Sequence, residues 1–226
     1  QENESSRTKY EGAGLGLAIA KKIVERMEGT IEIKSKKECC GCTACSSICP
    51  KKCIDMKEDN EGFIYPNVNV IECIDCKLCE QVCPMTKKRE NEKGIPESIL
   101  ARDVREKVLL TGTSGSVFTS IMEYVLQKDG VVYGVIVDEE KVVKHIRVDS
   151  QNDNRISKIP CSKYVRSEIR DIFPKIKEDL TRGKLVCFSG VPCQVEGLKS
   201  YLNRDYKNLL TIDVICHGNP SPLFWE

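Results

Sequence analysis

The chain has 226 residues, with 35 Lys and Arg against 34 Asp and Glu, and a formal net charge of +1. This length predicts one or two domains, and the balanced charge argues against nucleic acid as the main partner. The longest apolar runs fall far short of the roughly 18 residues that a membrane span requires. The polar N-terminal stretch does not resemble a signal peptide. We therefore expect a cytoplasmic protein with no membrane span.

The first 36 residues contain a glycine-rich stretch, Gly12–Leu17, followed by a helical pattern to about Met27 and a strand-like run at Thr30–Lys34. Glycines before a helix N-terminus can bind phosphate. The stretch resembles the last glycine box of histidine-kinase ATP-binding domains. The asparagine box, the Asp-x-Gly-x-Gly segment and the phospho-acceptor His motif of those domains are missing from the sequence. We interpret residues 1–36 as an ATP-lid-like remnant, an isolated helix and strand, rather than as an ATP site.

Cysteine is the most informative residue type in the sequence. Ten of the 14 cysteines fall between Cys39 and Cys83. Eight of the ten form two runs of identical spacing, each followed by proline: Cys39, Cys42, Cys45 and Cys49, then Cys73, Cys76, Cys79 and Cys83. This doubled pattern is typical of bacterial two-cluster ferredoxins. Zinc sites usually pair two Cys-x2-Cys units and do not follow this spacing, so zinc and disulfides are weaker alternatives.

The spacing also predicts which cysteines share a cluster. Gaps of two residues direct three thiolates of one run at a single iron–sulfur cube, while the fourth points toward the other cube. The expected ligand sets are therefore Cys39, Cys42, Cys45 and Cys83 for the first [4Fe–4S] cluster, and Cys73, Cys76, Cys79 and Cys49 for the second. Two further thiols in this segment, Cys40 and Cys53, are predicted to be packing residues. A hairpin with its turn at Glu58–Gly62 is expected between the runs.

A charged linker at residues 87–97 separates this segment from a different pattern at residues 98–226. Strands are predicted at Ile99–Ala101, Val131–Val137, Lys141–Val148, Lys184–Ser189 and Leu209–Ile215, with helices from the Thr111–Ser116 loop to about Lys128, at Ser167–Thr181 and at Pro192–Leu202. The expected fold class is an α+β ferredoxin-like two-cluster module at residues 37–86, followed by an α/β domain with a mixed or parallel sheet. The missing initiator methionine and the ending Phe224-Trp225-Glu226 predict a piece of a longer protein, and the family resemblance described below implies that the α/β domain is truncated at its C-terminus.

The first candidate ligand-binding loop of the α/β domain lies at a predicted helix start. Thr113, Ser114, Gly115 and Ser116 offer amides and hydroxyls that suit a phosphate. The same residues are also typical of an ordinary N-cap. The loop alone does not separate the two interpretations.

Two further loops follow predicted strands and contain cysteine. In Ser189–Gln194, the helix dipole is expected to lower the pKa of the Cys193 thiol. Cys216–Pro220 follows the last strand, at the sheet edge where open α/β folds bind ligands. Cys193 and Cys216 are candidate redox thiols, ligands of a further cluster or simple packing residues, whereas Cys187 lies within a strand and is expected in the core.

Residues 37–226 resemble the coenzyme F420 hydrogenase/dehydrogenase beta-subunit family. The double cysteine motif carries this resemblance, together with Thr113–Phe118, Ser162–Val165, Phe188–Gln194 and Cys216–Gly218. The resemblance implies an FAD-binding α/β domain that exchanges electrons with ferredoxin-type clusters. The implied flavin site comprises Thr113, Ser114, Gly115, Ser116, Lys163, Gly190 and Cys193. In this sequence Ser116 replaces a glycine that is more frequent in the family.

The leading hypothesis is an iron–sulfur flavoprotein that relays electrons between a ferredoxin-like donor and a flavin or organic acceptor, as an oxidoreductase would. Its partner is then a redox protein or a small organic acceptor. One alternative is a plain ferredoxin-type carrier whose α/β part is a docking domain. A second alternative is a redox-linked signalling fragment, suggested by the kinase-like N-terminus.

Overall fold

The computed structural model describes residues 38–86, 97–113, 115–220 and 222–225. The kinase-like stretch at residues 1–36, Ser114 and most of the predicted linker lie outside the described residues. Residues 39–226 form one compact unit. The cysteine-rich segment therefore packs together with the part that follows it.

The cysteine-rich segment contains two short helices and a hairpin. Its elements are α1 (Ala44–Ile48), β1 (Ile54–Glu58), β2 (Ile64–Val68) and α2 (Leu78–Gln81). Strands β1 and β2 pair antiparallel. Asp59 closes the turn between them, because its Oδ1 accepts hydrogen bonds from the amides of Glu61 and Phe63, both at 3.0 Å. The predicted hairpin is confirmed.

The second part is a four-stranded sheet with helices. Its elements are α3 (Glu106–Thr111), α4 (Val117–Gln127), β3 (Val131–Val137), β4 (Val143–Val148), a single 3-10 turn (Ile156–Lys158), α5 (Ile172–Thr181), β5 (Val186–Gly190), α6 (Pro192–Leu202), β6 (Leu209–Asp213) and α7 (Pro222–Trp225). The strand order is β4-β3-β5-β6. Strands β3 and β4 are antiparallel, and the other two pairs are parallel, so the sheet is mixed, as the sequence predicts.

Each face of the sheet carries its own apolar core, because successive strand residues point to opposite sides. One core contains Tyr133 and Phe188 with the apolar faces of α5 and α6. The other contains Val132 and Cys187 with α4. Cys187 is fully buried, which confirms its predicted place in the core.

The cysteine-rich segment contributes directly to the core on the α5 and α6 side. Cys42, Ala44 and Val82 are buried there together with residues of the α/β part. Burial of this shared apolar surface is what joins the two parts into one unit.

Strands β4, β5 and β6 differ from their predicted bounds by one or two residues at an end, and three larger differences occur. Ile99–Ala101 is irregular rather than a strand, with Ile99 and Leu100 exposed. Helix α3 was not predicted. Helix α5 begins at Ile172 rather than near Ser167, because Glu168 instead pairs with β4 through an isolated bridge to Lys144. Among the described residues, no helix is both long and apolar enough to cross a membrane.

Candidate metal centre

The two cysteine runs fold into the same local structure. Gly41 and Thr43 in the first run and Asp75 and Lys77 in the second, each pair offset by 34 positions, all have left-handed backbones, with φ of 60°, 67°, 50° and 57°. Helix α1 and helix α2 begin directly after these turns. In the first run the turn brings the Gly41 amide to the Cys39 sulfur, which accepts its hydrogen bond at 3.3 Å. The sequence repeat is therefore also a repeat of conformation.

Cys45, in α1, neighbours the other three thiols of the predicted first ligand set. Its thiol interacts electrostatically with those of Cys39, Cys83 and Cys79, and with that of Cys42. Burial raises the pKa of the Cys45 thiol to about 12. Cys79 and Cys83 both belong to the second run, so the fold brings two distal cysteines within electrostatic range of Cys45, and the crossed ligand set stays a prediction.

The second predicted set is more open to solvent and includes an extra neighbour. The sulfur of Cys49 lies 3.4 Å from that of Cys53. Cys53 also interacts with Cys73, and Cys79 with Cys76. Cys73 and Cys76 are exposed. The spare thiol Cys53 thus lies between two predicted ligands of the same cluster.

The donor set of each group is composed of thiols, the ligand type that iron–sulfur clusters use. None of the 14 cysteines forms a disulfide. Within the described ranges, no three or more His, Cys, Asp or Glu side chains are close enough together to hold a single metal ion. The fit to iron–sulfur clusters therefore rests on the donor chemistry, the repeated turns and the Gly41 amide, which supplies the kind of N–H···S bond that clusters accept.

The first cysteine group lies against α6. A Cβ atom placed on Gly197 would lie only 2.7 Å from the Cβ of Cys42. Only glycine at this position lets the helix approach so closely. Helix α6 therefore supports the loop that carries a predicted cluster ligand.

A second group of neighbouring thiols lies at the start of α6 and comprises Cys40, Cys42 and Cys193. The Cys193 and Cys42 thiols donate hydrogen bonds to Cys40 and lower its pKa. The hydrogen bond to Cys40 raises the pKa of the Cys193 thiol, and burial raises it further. The prediction that the helix dipole lowers this pKa is therefore wrong. Cys216 also lies near Cys193. The prediction of Cys40 as simple packing missed this contact, because it joins residues from distant parts of the sequence.

A buried hydrogen-bond chain fixes the loop after β5. Gln194 donates to the hydroxyl and the carbonyl of Ser167, both at 3.1 Å. The Ser167 hydroxyl lies 3.0 Å from Nδ1 of His145, whose Nε2 lies 2.9 Å from the Ser189 carbonyl. The polar groups satisfy one another when Ser167 donates to Nδ1 and Nε2–H donates to Ser189. Burial lowers the pKa of His145 to about 4, so the imidazole is neutral at pH 7.

The predicted flavin residues fall into two groups. Gly190 and Cys193 lie at the carboxyl end of β5, where a Cβ on Gly190 would meet the Gln194 side chain at 3.1 Å. Thr113, Gly115 and Ser116 lie around the start of α4. Thr113 also donates to the carbonyl of Pro160 at 2.8 Å. That contact brings the α4 loop to the segment that contains Lys163.

The side chains expected to bind flavin phosphate have internal partners instead. The Ser116 hydroxyl donates to the Val108 carbonyl at 3.2 Å. The Lys163 ammonium donates to the carbonyls of Lys158 and Ile159 at 2.6 and 2.8 Å, and burial lowers its pKa to about 8. A Cβ on Gly115 would lie 2.5 Å from the carbonyl oxygen of Ala101. In this conformation these side chains do not form a phosphate site.

Two segments of the chain match known family models. Residues 38–87 match the 4Fe-4S dicluster domain. Residues 183–226 match the family that describes the C terminus of the beta subunit of coenzyme F420 hydrogenase/dehydrogenase. A search of curated proteins found no significant match to the chain. The two matches bear out the resemblance seen in the sequence: an iron–sulfur segment precedes a segment similar to the C terminus of the beta subunit.

Proposed function

We propose that this chain is an electron-transfer module with two [4Fe–4S] clusters on crossed ligand sets. The carrying observation is the doubled cysteine motif, which folds into two equal turns within a segment that matches the dicluster domain, with Cys83 of the second run in electrostatic range of Cys39 and Cys45 of the first. Thiolate-bound clusters accept and release one electron at a time. In this chain the thiols hold the clusters, and α6 holds the first group against the α/β part. A reducing, cytoplasmic setting fits thiols that remain unpaired.

The experiment that tests this proposal is iron and sulfide analysis of the full chain after anaerobic reconstitution. We expect about eight irons per chain, and about four in Cys83→Ser, because one crossed ligand is lost. Cys161→Ser is the matched control, since Cys161 is an exposed cysteine outside both runs. The cluster lost in Cys83→Ser should be the one lost in Cys45→Ala, as judged from the electron paramagnetic resonance of the cluster that remains. Loss of the cluster that Cys76→Ala removes would refute the crossed sets, and about four irons in the unmodified chain would refute the second cluster.

The finer part of the proposal concerns the acceptor in the α/β part. The beta-subunit match and the position of Gly190 at the carboxyl end of β5 support an FAD that converts single electrons into two-electron chemistry, which would make the protein an oxidoreductase. The internal partners of Ser116 and Lys163 favour the second candidate, a plain ferredoxin-type carrier with a docking domain. Flavin analysis of the protein separates the two: stoichiometric FAD supports the oxidoreductase, and cluster absorption without flavin supports the carrier.

The partner of this module is proposed to be a redox protein, because the matched family is a subunit of a larger enzyme. The second cysteine group is its docking point. Cys73 and Cys76 are exposed, and they are surrounded by the exposed apolar side chains of Val70, Ile71 and Ile74, at 61%, 92% and 57% exposure. An exposed apolar patch of this kind marks an interaction surface, and here it lies beside the predicted cluster ligands.

Charge limits the chemistry of that partner. Two acidic residues, Glu72 and Asp75, and one basic residue, Lys77, are exposed within the same loop, so its net charge is negative and a partner with a basic rim is complementary. We expect Ile71→Asp to slow reduction by a basic electron-carrier protein several-fold while the iron content stays full. Val104→Asp, at an equally exposed apolar position of the α/β part, is the control and should leave the rate unchanged. Equal rates in both variants would exclude this surface, and faster reduction by small organic dyes than by any protein would favour a small-molecule partner.

A further inference from the structure

Arg166 links the α/β part to the first cysteine group. Its guanidinium Nη2 donates a hydrogen bond to the carbonyl of Gly41. A Cβ on Gly41 would lie 2.8 Å from Nη1 of Arg166 and 2.7 Å from the Ile64 carbonyl. The guanidinium therefore packs directly against the backbone of Gly41, between two predicted cluster ligands in the sequence.

Gly41 is fixed from two sides. Its carbonyl accepts the hydrogen bond from Arg166, and its amide donates to the Cys39 sulfur at 3.3 Å. Hydrogen bonds to the sulfur ligands are one of the factors that set the reduction potential of an iron–sulfur cluster. Arg166 therefore positions the residue that makes such a bond.

The charge of Arg166 acts at the same place. The guanidinium lies within electrostatic range of the thiols of Cys39, Cys40 and Cys193. Its Nε is buried and has no hydrogen-bond partner among the residues that the structure describes. A buried donor without a partner is costly, and an anionic sulfur-rich group beside it would supply the missing acceptor.

We propose that Arg166 raises the reduction potential of the cluster on Cys39, Cys42, Cys45 and Cys83 above that of the second cluster. The inference rests on the proposed function. A cluster with four thiolate ligands is an anion that gains one more negative charge on reduction, so a permanently charged arginine stabilises its reduced form. The cluster whose potential Arg166 would raise is the one predicted beside the α/β part, where Cys42 packs on α6.

The test is a redox titration of both clusters in the full, anaerobically reconstituted chain, followed by electron paramagnetic resonance. Arg166→Gln removes the charge and should lower the midpoint potential of one cluster while the other stays unchanged. The cluster that shifts must be the one that is lost in Cys45→Ala. Arg166→Lys keeps a charge but not the planar guanidinium, and it should lower the same potential by a smaller amount.

Arg170→Gln is the matched control, because Arg170 belongs to the same segment and its side chain is 76% exposed. Its two midpoint potentials should equal those of the unmodified chain. Unchanged potentials in Arg166→Gln with full iron, or an equal fall of both potentials, would overturn the inference. If Arg166→Gln fails to load iron, Arg166→Lys decides, since unchanged potentials there also overturn it. Failure of the unmodified chain to show two reducible clusters would instead refute the proposed function.

Discussion

Gly197 of α6 packs against Cys42, and the first prediction is whether its replacement by alanine raises or lowers the stability of the fold. Replacing Gly197 by Ala in an unconstrained helix would stabilise the protein by about 0.8–1.0 kcal/mol. Here the new Cβ would lie 2.7 Å from the Cβ of Cys42, about 0.7 Å inside the 3.4 Å at which ordinary contact begins. Neither atom belongs to a flexible side-chain end, so the helix or the cysteine loop must move. Overpacking of this kind costs about 1–3 kcal/mol.

We therefore expect Gly197→Ala to lower the net stability by about 1 kcal/mol, or the thermal midpoint by about 2–4 °C. Because the displaced residue is a predicted ligand, iron should also fall from about eight toward about four per chain. Thermal unfolding and iron analysis of the reconstituted chain measure the two effects. Lys199→Ala on the exposed side of the same helix is the control and should change neither. A Gly197→Ala protein with higher stability and full iron would refute the packing of α6 on the cysteine loop.

Three further predictions concern buried polar groups and the spare thiol. The pKa of His145 is lowered from 6.5 to about 4 by burial, so folding favours its neutral form. Its contribution to stability is present above pH 6.5 and is lost as the pH falls toward 4, by about 3 kcal/mol in all. In urea titrations at several pH values, His145→Gln should remove this loss, and His217→Gln, at an exposed site, should retain it. The buried carboxylate of Asp179 accepts hydrogen bonds from Tyr133 and Arg147. Asp179→Asn should therefore lower the free energy of unfolding in urea by about 2–4 kcal/mol. The control Asp149→Asn, at an exposed position, should lower it by less than about 1 kcal/mol. Cys53→Ala should keep full iron, because this thiol is outside both ligand sets, and a loss of about four irons would show that it is itself a ligand.

Much of the local structure follows from short-range patterns in the sequence. Strand β3 and helix α6 have the predicted bounds, because an apolar run between turn signals and a helix that starts with Pro192 are both local features. The two cysteine runs predict two equal loops, and the equal backbone conformations bear this out. Ile99–Ala101 shows the limit of such reasoning, since a strand also needs a hydrogen-bonding partner and this segment has no place in the sheet.

What the tertiary structure decided is which distant groups meet. The sequence places Arg166 in an unremarkable segment, and only the fold brings its charge to Gly41 and Cys39. The family resemblance places Lys163 in the flavin site, and only the fold shows that its ammonium donates to two backbone carbonyls. The chemical type of the centre was thus determined by residue spacing, because thiolate ligands on one loop are local. Residue spacing did not determine which charges surround the centre. Charges act through space, and the sequence does not specify which of them are neighbours.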